Sequence, residues 1–259
     1  MRCSLSLLPI VFSSFMELRA ERLTKDFDRR RAVDGLTFSF EGPGLIGYLG
    51  PNGAGKSTTL KLFSHLLRPT FGRALVNGRD VADDPVAALS GLSALVEAPD
   101  PYAHQTIREF LTFIGQLREI ESTALNERIR WLSERLALEG LERRCGLLSR
   151  GHRQRVVLAA VLIPETPIVL LDEPTGSLDP VEAKRVRSLL LDLKRERMIF
   201  MSSHLLSEVA STCDRVAFLN HGKLILVDSV DAVRSRFSLR DGADGLEDAY
   251  LHLIQEGIS

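Results

Sequence analysis

Hydrophobic and polar positions change their period several times along the 259-residue chain. From Glu17 to Tyr48, short β-type runs ("LTFSF" at 36–40, "GLIGYL" at 44–49) alternate with charged or Gly/Pro turns such as "DRRR" and "EGPG". That pattern predicts a small antiparallel sheet leading into a central strand. Leu60, Leu62, Phe63, Leu66 and Leu67 then fall near helical period, predicting a helix over 56–67 that stops at "RPTFG". From about Pro101 to Pro164 the chain reads as long amphipathic helices, with apolar residues at three- and four-residue steps in "TIREFLTFIGQLREI" and "LNERIRWLSERLALEGL". After it come "IVLLD" at 168–172, "MIFMSS" at 198–203 and "RVAFLN" at 215–220, buried strands separated by helical stretches. Continuous apolar strands of this kind belong to a parallel α/β sheet covered on both faces. The expected organisation is an α/β core, 16–100 and 165–236, split around a helical insertion at 101–164. An N-terminal extension (1–15) and a short tail with a helix (237–259) flank it.

Charge narrows the partners. Lys plus Arg number 33 against 34 Asp plus Glu, so the whole chain makes no long-range positive field to gather nucleic acid. Five arginines and a histidine nevertheless crowd residues 143–155, which include "LLSRGHRQR" at 147–155. Any basic patch there must act locally, and no nucleic-acid partner is expected. Cys3, Cys145 and Cys213 are odd in number and lack any CxxC or Cys/His ligand spacing, which reads as reduced thiols in a cytosol. The longest apolar run, "VVLAAVLI" at 156–163, suits a buried helix face and falls well short of the roughly 18 residues a membrane helix needs. The start, "MRCSLSLLPIVFSSF", faintly resembles a signal peptide. A charged, strand-like segment begins at Met16, so an upstream start or a disordered extension is the expectation.

The clearest chemistry is "GPNGAGKS", Gly50 to Ser57, which fits G-x-x-x-x-G-K-[ST] between a predicted strand and a predicted helix. Glycines let the backbone N–H groups of Asn52, Gly53, Ala54 and Gly55 curl around an anion, and the following helix aims its positive end at phosphates. Lys56 is expected to reach the β- and γ-phosphates, Ser57 to offer its hydroxyl to Mg²⁺, and Thr58 to lie near the α-phosphate. "IVLLDE" places Asp172 and Glu173 at the end of a buried strand, where open α/β sheets hold their ligands. Burying acids there is costly without a cation or water to meet them. Asp172 is expected at Mg²⁺ and Glu173 at an attacking water, with ordinary helix N-capping as the alternative.

Four ordered motifs narrow the field: "GPNGAGKST" (50–58), "LSRGHRQR" (148–155), "IVLLDEPTGSLDP" (168–180) and "SSH" (202–204). From about Met16 onward the chain resembles the ATP-binding cassette subunits of membrane transporters. The resemblance implies a P-loop NTPase (RecA-like) core with an antiparallel β subdomain and an inserted α-helical subdomain, binding ATP and Mg²⁺. It implies that Ser149 and Gly151, at the start of a helix, cap the γ-phosphate of ATP held by a second subunit in a head-to-tail homodimer or heterodimer. Asp179 would lie near that interface. His204 matches the histidine that holds the γ-phosphate and the attacking water. Phe27 matches the aromatic that stacks on adenine, with a plain core phenylalanine as the alternative.

Two departures stand out from the family pattern. The usual signature LSGGQ is here "LSRGH", with Arg150 and His152 at its third and fifth positions. Glu97, in "LSALVEAPDPY", stands where a metal-ligating, partner-sensing glutamine is usual, and a carboxylate offers the metal a similar oxygen with added charge. This variant and the tail "GLEDAYLHLI" at 245–254 resemble exporting branches. The resemblance therefore implies an ATPase at the cytoplasmic side of a membrane, driving a separate transmembrane permease outward. A cassette acting on ribosomes or DNA is the alternative; paired cassettes or long coiled-coil insertions, usual in those proteins, are not visible here. A GTPase would show N-K-x-D, and a small-molecule kinase would leave "LSRGHRQR" unexplained.

Overall fold

A computed structural model describes residues 16–28, 30–97, 100–237, 246, 249 and 250. The extension expected at 1–15, with Cys3, and most of the tail expected at 237–259 lie outside the described residues. Two sheets organise what is described. Strands β1 (Glu17–Phe27), β2 (Arg30–Glu41), β4 (Phe71–Val76) and β5 (Arg79–Asp80) form an antiparallel sheet in the order β2-β1-β4-β5. Strands β3 (Gly44–Leu49), β6 (Leu92–Leu95), β7 (Ile168–Asp172), β8 (Met198–Ser203), β9 (Arg215–Asn220) and β10 (Lys223–Ser229) form the second, ordered β10-β9-β3-β8-β7-β6. All its pairings are parallel except β10 with β9. The chain has the P-loop NTPase fold, with an antiparallel β subdomain and an inserted helical subdomain.

Side-chain chemistry explains the layering. Every residue of β3 and β8 is buried, as both faces of a covered parallel sheet require. Phe38 and Phe40 of the first sheet pack on Phe200 of the second, with Tyr48 4.9 Å and Phe38 6.1 Å from the Phe200 ring, making an aromatic seam between the two sheets. Helix α1 (Lys56–Phe63) buries Leu60, Leu62 and Phe63 against this seam. A second core lies on the other face, beneath helices α3 (Ile107–Leu117), α4 (Ser122–Leu136) and α5 (Arg150–Leu162). A Thr106/Glu109 capping box starts α3, and Gly115 lets α4 approach closely, since a Cβ there would lie 2.3 Å from Leu125 Cδ1. Further helices are the short α2 (Pro85–Leu89), α6 (Pro180–Leu193), α7 (Leu206–Thr212) and α8 (Val230–Phe237).

Two helices end earlier than their apolar pattern suggests. Helix α1 stops at Phe63 because the Ser64 hydroxyl bonds back to Leu60 O and His65 turns left-handed (φ 58°), leaving Leu66 61% exposed. Helix α4 stops at Leu136, where Ala137 adopts φ 48°. The apolar residues just beyond still pack inward: Leu67 lies against the core after α1, and Leu138 is buried in it after α4.

The parallel register is what matters for function. Across the three central strands Tyr48 pairs with Ser202, and Ser202 with Asp172. The carboxyl ends of β3, β8 and β7 therefore lie side by side, and the loops leaving them begin at one level.

Candidate active site at the carboxyl ends of the strands

The loop after β3 is shaped by close backbone approach. Cβ atoms at Gly50 and Gly55 would come within 2.3 Å of Leu219 O and 2.4 Å of Ala32 O, and Gly53 and Gly55 have φ of 79° and 109°. Only glycine meets both demands. Ala54 is buried; its N–H donates to Pro51 O and its carbonyl accepts from Gly222 N–H, which ties the loop to the β9–β10 turn. The loop then enters α1, whose first turn holds Lys56, Ser57 and Thr58.

Lys56 is buried and folds back, its Nζ donating to Gly50 O at 2.7 Å and Pro51 O at 3.2 Å. Burial holds its ammonium below the usual lysine range, while Glu173 and then Asp172 pull it back up. The loop thus carries a desolvated cation suited to phosphate oxygens.

The acidic pair is held by the neighbouring strand. Ser202 Oγ donates to Asp172 Oδ1 at 2.5 Å and accepts from Glu173 N–H at 3.0 Å. Glu173 adopts φ 46°, a left-handed conformation uncommon outside glycine and asparagine. Its Oε2 lies 3.0 Å from His204 Nδ1. Neither acid caps a helix; the N-cap of α6 is Asp179.

A cleft of about 430 Å³ joins these parts, lined by Phe27, Arg30, Asn52, Gly53, Gly55, Lys56, Ser57, Thr58 and Glu173, with Ala32. Phe27 is 43% exposed at the end of β1, which removes the core alternative. Lys25 Nζ sits 5.2 Å from its ring centroid. Arg30 was not singled out from the sequence; its guanidinium donates to Gly53 O at 3.1 Å and hangs beside the loop. Its only signal was the charge of the "DRRR" turn.

Other sequence-selected residues stand apart from the cleft lining. Ser149 is exposed at the N-cap of α5 and accepts from His152 N–H, and Gly151 follows in the first turn. Asp179 is exposed and accepts from Val181 and Glu182 N–H. Glu97, at φ 52°, is exposed and ion-paired with Lys61, one helical turn beyond Ser57. The arginine-rich segment is largely engaged within the fold. Arg155 is buried against Glu182, Arg153 pairs with Asp100, and Arg143 donates to Leu147 O. Burial, then Arg155 and Arg143, hold the His152 imidazole below the usual histidine range.

The phosphate loop, the acidic pair and the fold together define a nucleotide hydrolase, and comparison with known proteins fixes its kind. Residues 33–176 match the family model described as ABC transporter. The Bacillus licheniformis bacitracin transport ATP-binding protein BcrA is 32% identical over 85% of this chain and 72% of its own length. The Pyrococcus furiosus phosphate import ATP-binding protein PstB is 32% identical over 78% of this chain and 85% of its own. A solved ATP-binding subunit of an ABC transporter superposes with TM-score 0.82 at 26% identity, over 92% of this chain and 99% of that one. The chain belongs to the ABC transporter family as an ATP-binding subunit. It is an ATPase, and subunits of this kind bind ATP and work with a separate transmembrane component. Among its described residues, no helix is long and apolar enough to cross a membrane.

Proposed function

We propose that this chain hydrolyses Mg²⁺-ATP in the cleft at Gly50–Thr58, within a head-to-tail dimer of cassettes that drives an exporter from the cytoplasmic side of a membrane. One observation carries the site: Glu173, paired with His204, lines the same cleft as Lys56 and the loop. Phe27 stacks on the adenine. The N–H groups of Asn52, Gly53, Ala54 and Gly55 and the Lys56 ammonium take the phosphates, with Thr58 toward the α-phosphate. Glu173 orients the attacking water and accepts its proton; His204 holds that water and the γ-phosphate.

The donor set suits Mg²⁺, which favours hard oxygen ligands and keeps several waters. Ser57 offers a hydroxyl and Asp172 a carboxylate already oriented by Ser202, and among the described residues no group of three His, Cys, Asp or Glu side chains makes a dedicated metal cage. The metal, when bound, neutralises charge developing on the phosphates. Glu97, ion-paired with Lys61, would add a third oxygen ligand to Ser57 and Asp172.

Ser149, Gly151 and Asp179 are the support for the dimer. They sit at exposed helix starts outside the cleft lining, as groups serving a nucleotide held by a second cassette would. The dimer joins two copies of this chain or this chain with a related cassette. Direction rests on Glu97 in place of glutamine and on the tail at 245–254, which lies almost wholly outside the described residues; the bacitracin-transport and phosphate-import relatives are equally similar. Within the cassette the chain divides into a core, 16–100 with 165–236, and a helical subdomain, 101–164. Mixing Ser149→Arg subunits with Lys56→Ala subunits tests the arrangement. One intact composite site should restore part of the ATPase activity that each variant lacks alone, and no recovery would sink capping in trans.

A further inference from the structure

Beneath the Glu173–His204 pair lies a carboxylate that the chemistry above does not use. Glu208, on α7, is 4% exposed. Its Oε1 accepts from the Thr175 hydroxyl at 2.8 Å and its Oε2 from the Ser203 hydroxyl at 3.0 Å, with Arg187 of α6 the facing cation at 4.0 Å. A buried carboxylate persists only where such donors meet it. The two donors come from the two segments that matter. Thr175 lies two residues after Glu173, inside the turn closed by Gly176 N–H to Glu173 O. Ser203 immediately precedes His204, and its hydroxyl also accepts from Leu205 N–H at 3.0 Å.

We infer that Glu208 is a positioning residue, one buried carboxylate that fixes the relative placement of Glu173 and His204 for hydrolysis. Glu173 needs such support because its left-handed backbone is not self-sustaining. Ser202 holds it from the β8 side through its N–H, and Thr175 bonded to Glu208 holds the chain that follows. Helix α7 is itself seated firmly, since Gly47 of β3 leaves Val209 so little clearance that a Cβ there would lie 2.5 Å from Val209 Cγ1. Glu208 thus transmits the position of the central strand to both loops, and a carboxylate reaches both hydroxyls where a monodentate acceptor would reach one.

The inference rests on the proposed hydrolytic roles of Glu173 and His204. The experiment is steady-state ATP hydrolysis by the full chain at saturating Mg²⁺-ATP, with ATP KM measured in parallel. Glu208→Ala should lower kcat about ten- to a hundredfold with KM within about twofold, the signature of a lost transition-state arrangement. Glu208→Gln keeps the shape and can hold both hydroxyls, its amide oxygen accepting from one and its NH2 group donating to the other, and should recover to within about threefold of the parent. Parental kcat in Glu208→Ala, a change in KM alone, or Glu208→Gln no better than Glu208→Ala would each overturn the inference. Should Glu208→Ala not fold, Thr175→Val and Ser203→Ala each cut one link; each should lower kcat at constant KM, and parental kcat in both would overturn it. Glu173→Gln run alongside separates the two failures. If it too hydrolyses at the parental rate, the reading of Glu173 fails; if it is inactive while the Glu208 variants are normal, only the positioning role fails.

Discussion

Gly151 and Glu182 are in such close apposition that a Cβ on Gly151 would come within 2.6 Å of Glu182 Oε2. The glycine is helical, so its usual conformational reason does not apply; space is the reason. The Glu182 carboxylate cannot simply swing aside, because its other oxygen accepts from Arg155 Nη2 at 2.7 Å in a nearly buried pair. Gly151→Ala should therefore destabilise the chain by about 1–2 kcal/mol, the cost of straining a charged hydrogen bond. In a Glu182→Ala background the same change should stabilise by about 0.5–1 kcal/mol, because alanine is the better helix former once the clash is gone. Urea unfolding of the four variants measures the sign reversal.

Arg155 joins three elements. Its Nη1 donates to Leu136 O and Ala137 O at the end of α4, at 2.6 and 2.7 Å, while Nη2 meets Glu182 at the start of α6. A lysine carries the same charge on a single nitrogen and cannot span these acceptors. Arg155→Lys should cost about 2–4 kcal/mol, approaching the loss expected when one partner of a buried pair is removed. A melting temperature within a degree of the parent would contradict this.

These contacts show what the sequence could and could not disclose. The strands "GLIGYL", "IVLLD" and "MIFMSS" were legible because a strand buried on both faces must be apolar throughout, and the loop between β3 and α1 was legible because its glycines answer steric demands at fixed spacing. Phe27, Lys56 and Glu173 accordingly line one cleft. Arg155 reads only as one arginine of a basic run; its burial comes from α4 and α6, elements 18–27 residues away in the chain. Strand β10, alternating weakly and half-exposed, has no strong period to announce it. Arg30 and Glu208 were invisible for the same reason, since each owes its place to a partner distant in sequence.

Lys56 predicts a pH dependence. Its ammonium is held below the ordinary lysine range by burial, and bound phosphates would raise it again. The protonated form binds, so ATP affinity should be full at pH below the depressed value of the free protein and should fall as pH rises through it. Lys56→Arg keeps its charge throughout that range and should show a flat profile, whatever its absolute affinity. Nucleotide titrations followed by calorimetry across alkaline pH would read this, and parallel profiles for the two proteins would contradict it.

Glu173→Gln separates binding from chemistry. The amide keeps the size and shape of the side chain, so the loop, Lys56 and the cleft should persist. It cannot take a proton from water. Turnover should fall by on the order of 10²- to 10⁴-fold, the range for losing a positioned base, while ATP affinity stays near that of the parent. Because hydrolysis is what would reopen a nucleotide sandwich, the variant should also accumulate as an ATP-dependent dimer, detectable by size-exclusion chromatography with light scattering. Unchanged turnover would remove Glu173 from its assigned role. Lost turnover with a strictly monomeric, ATP-saturated protein would keep that role and count against the sandwich.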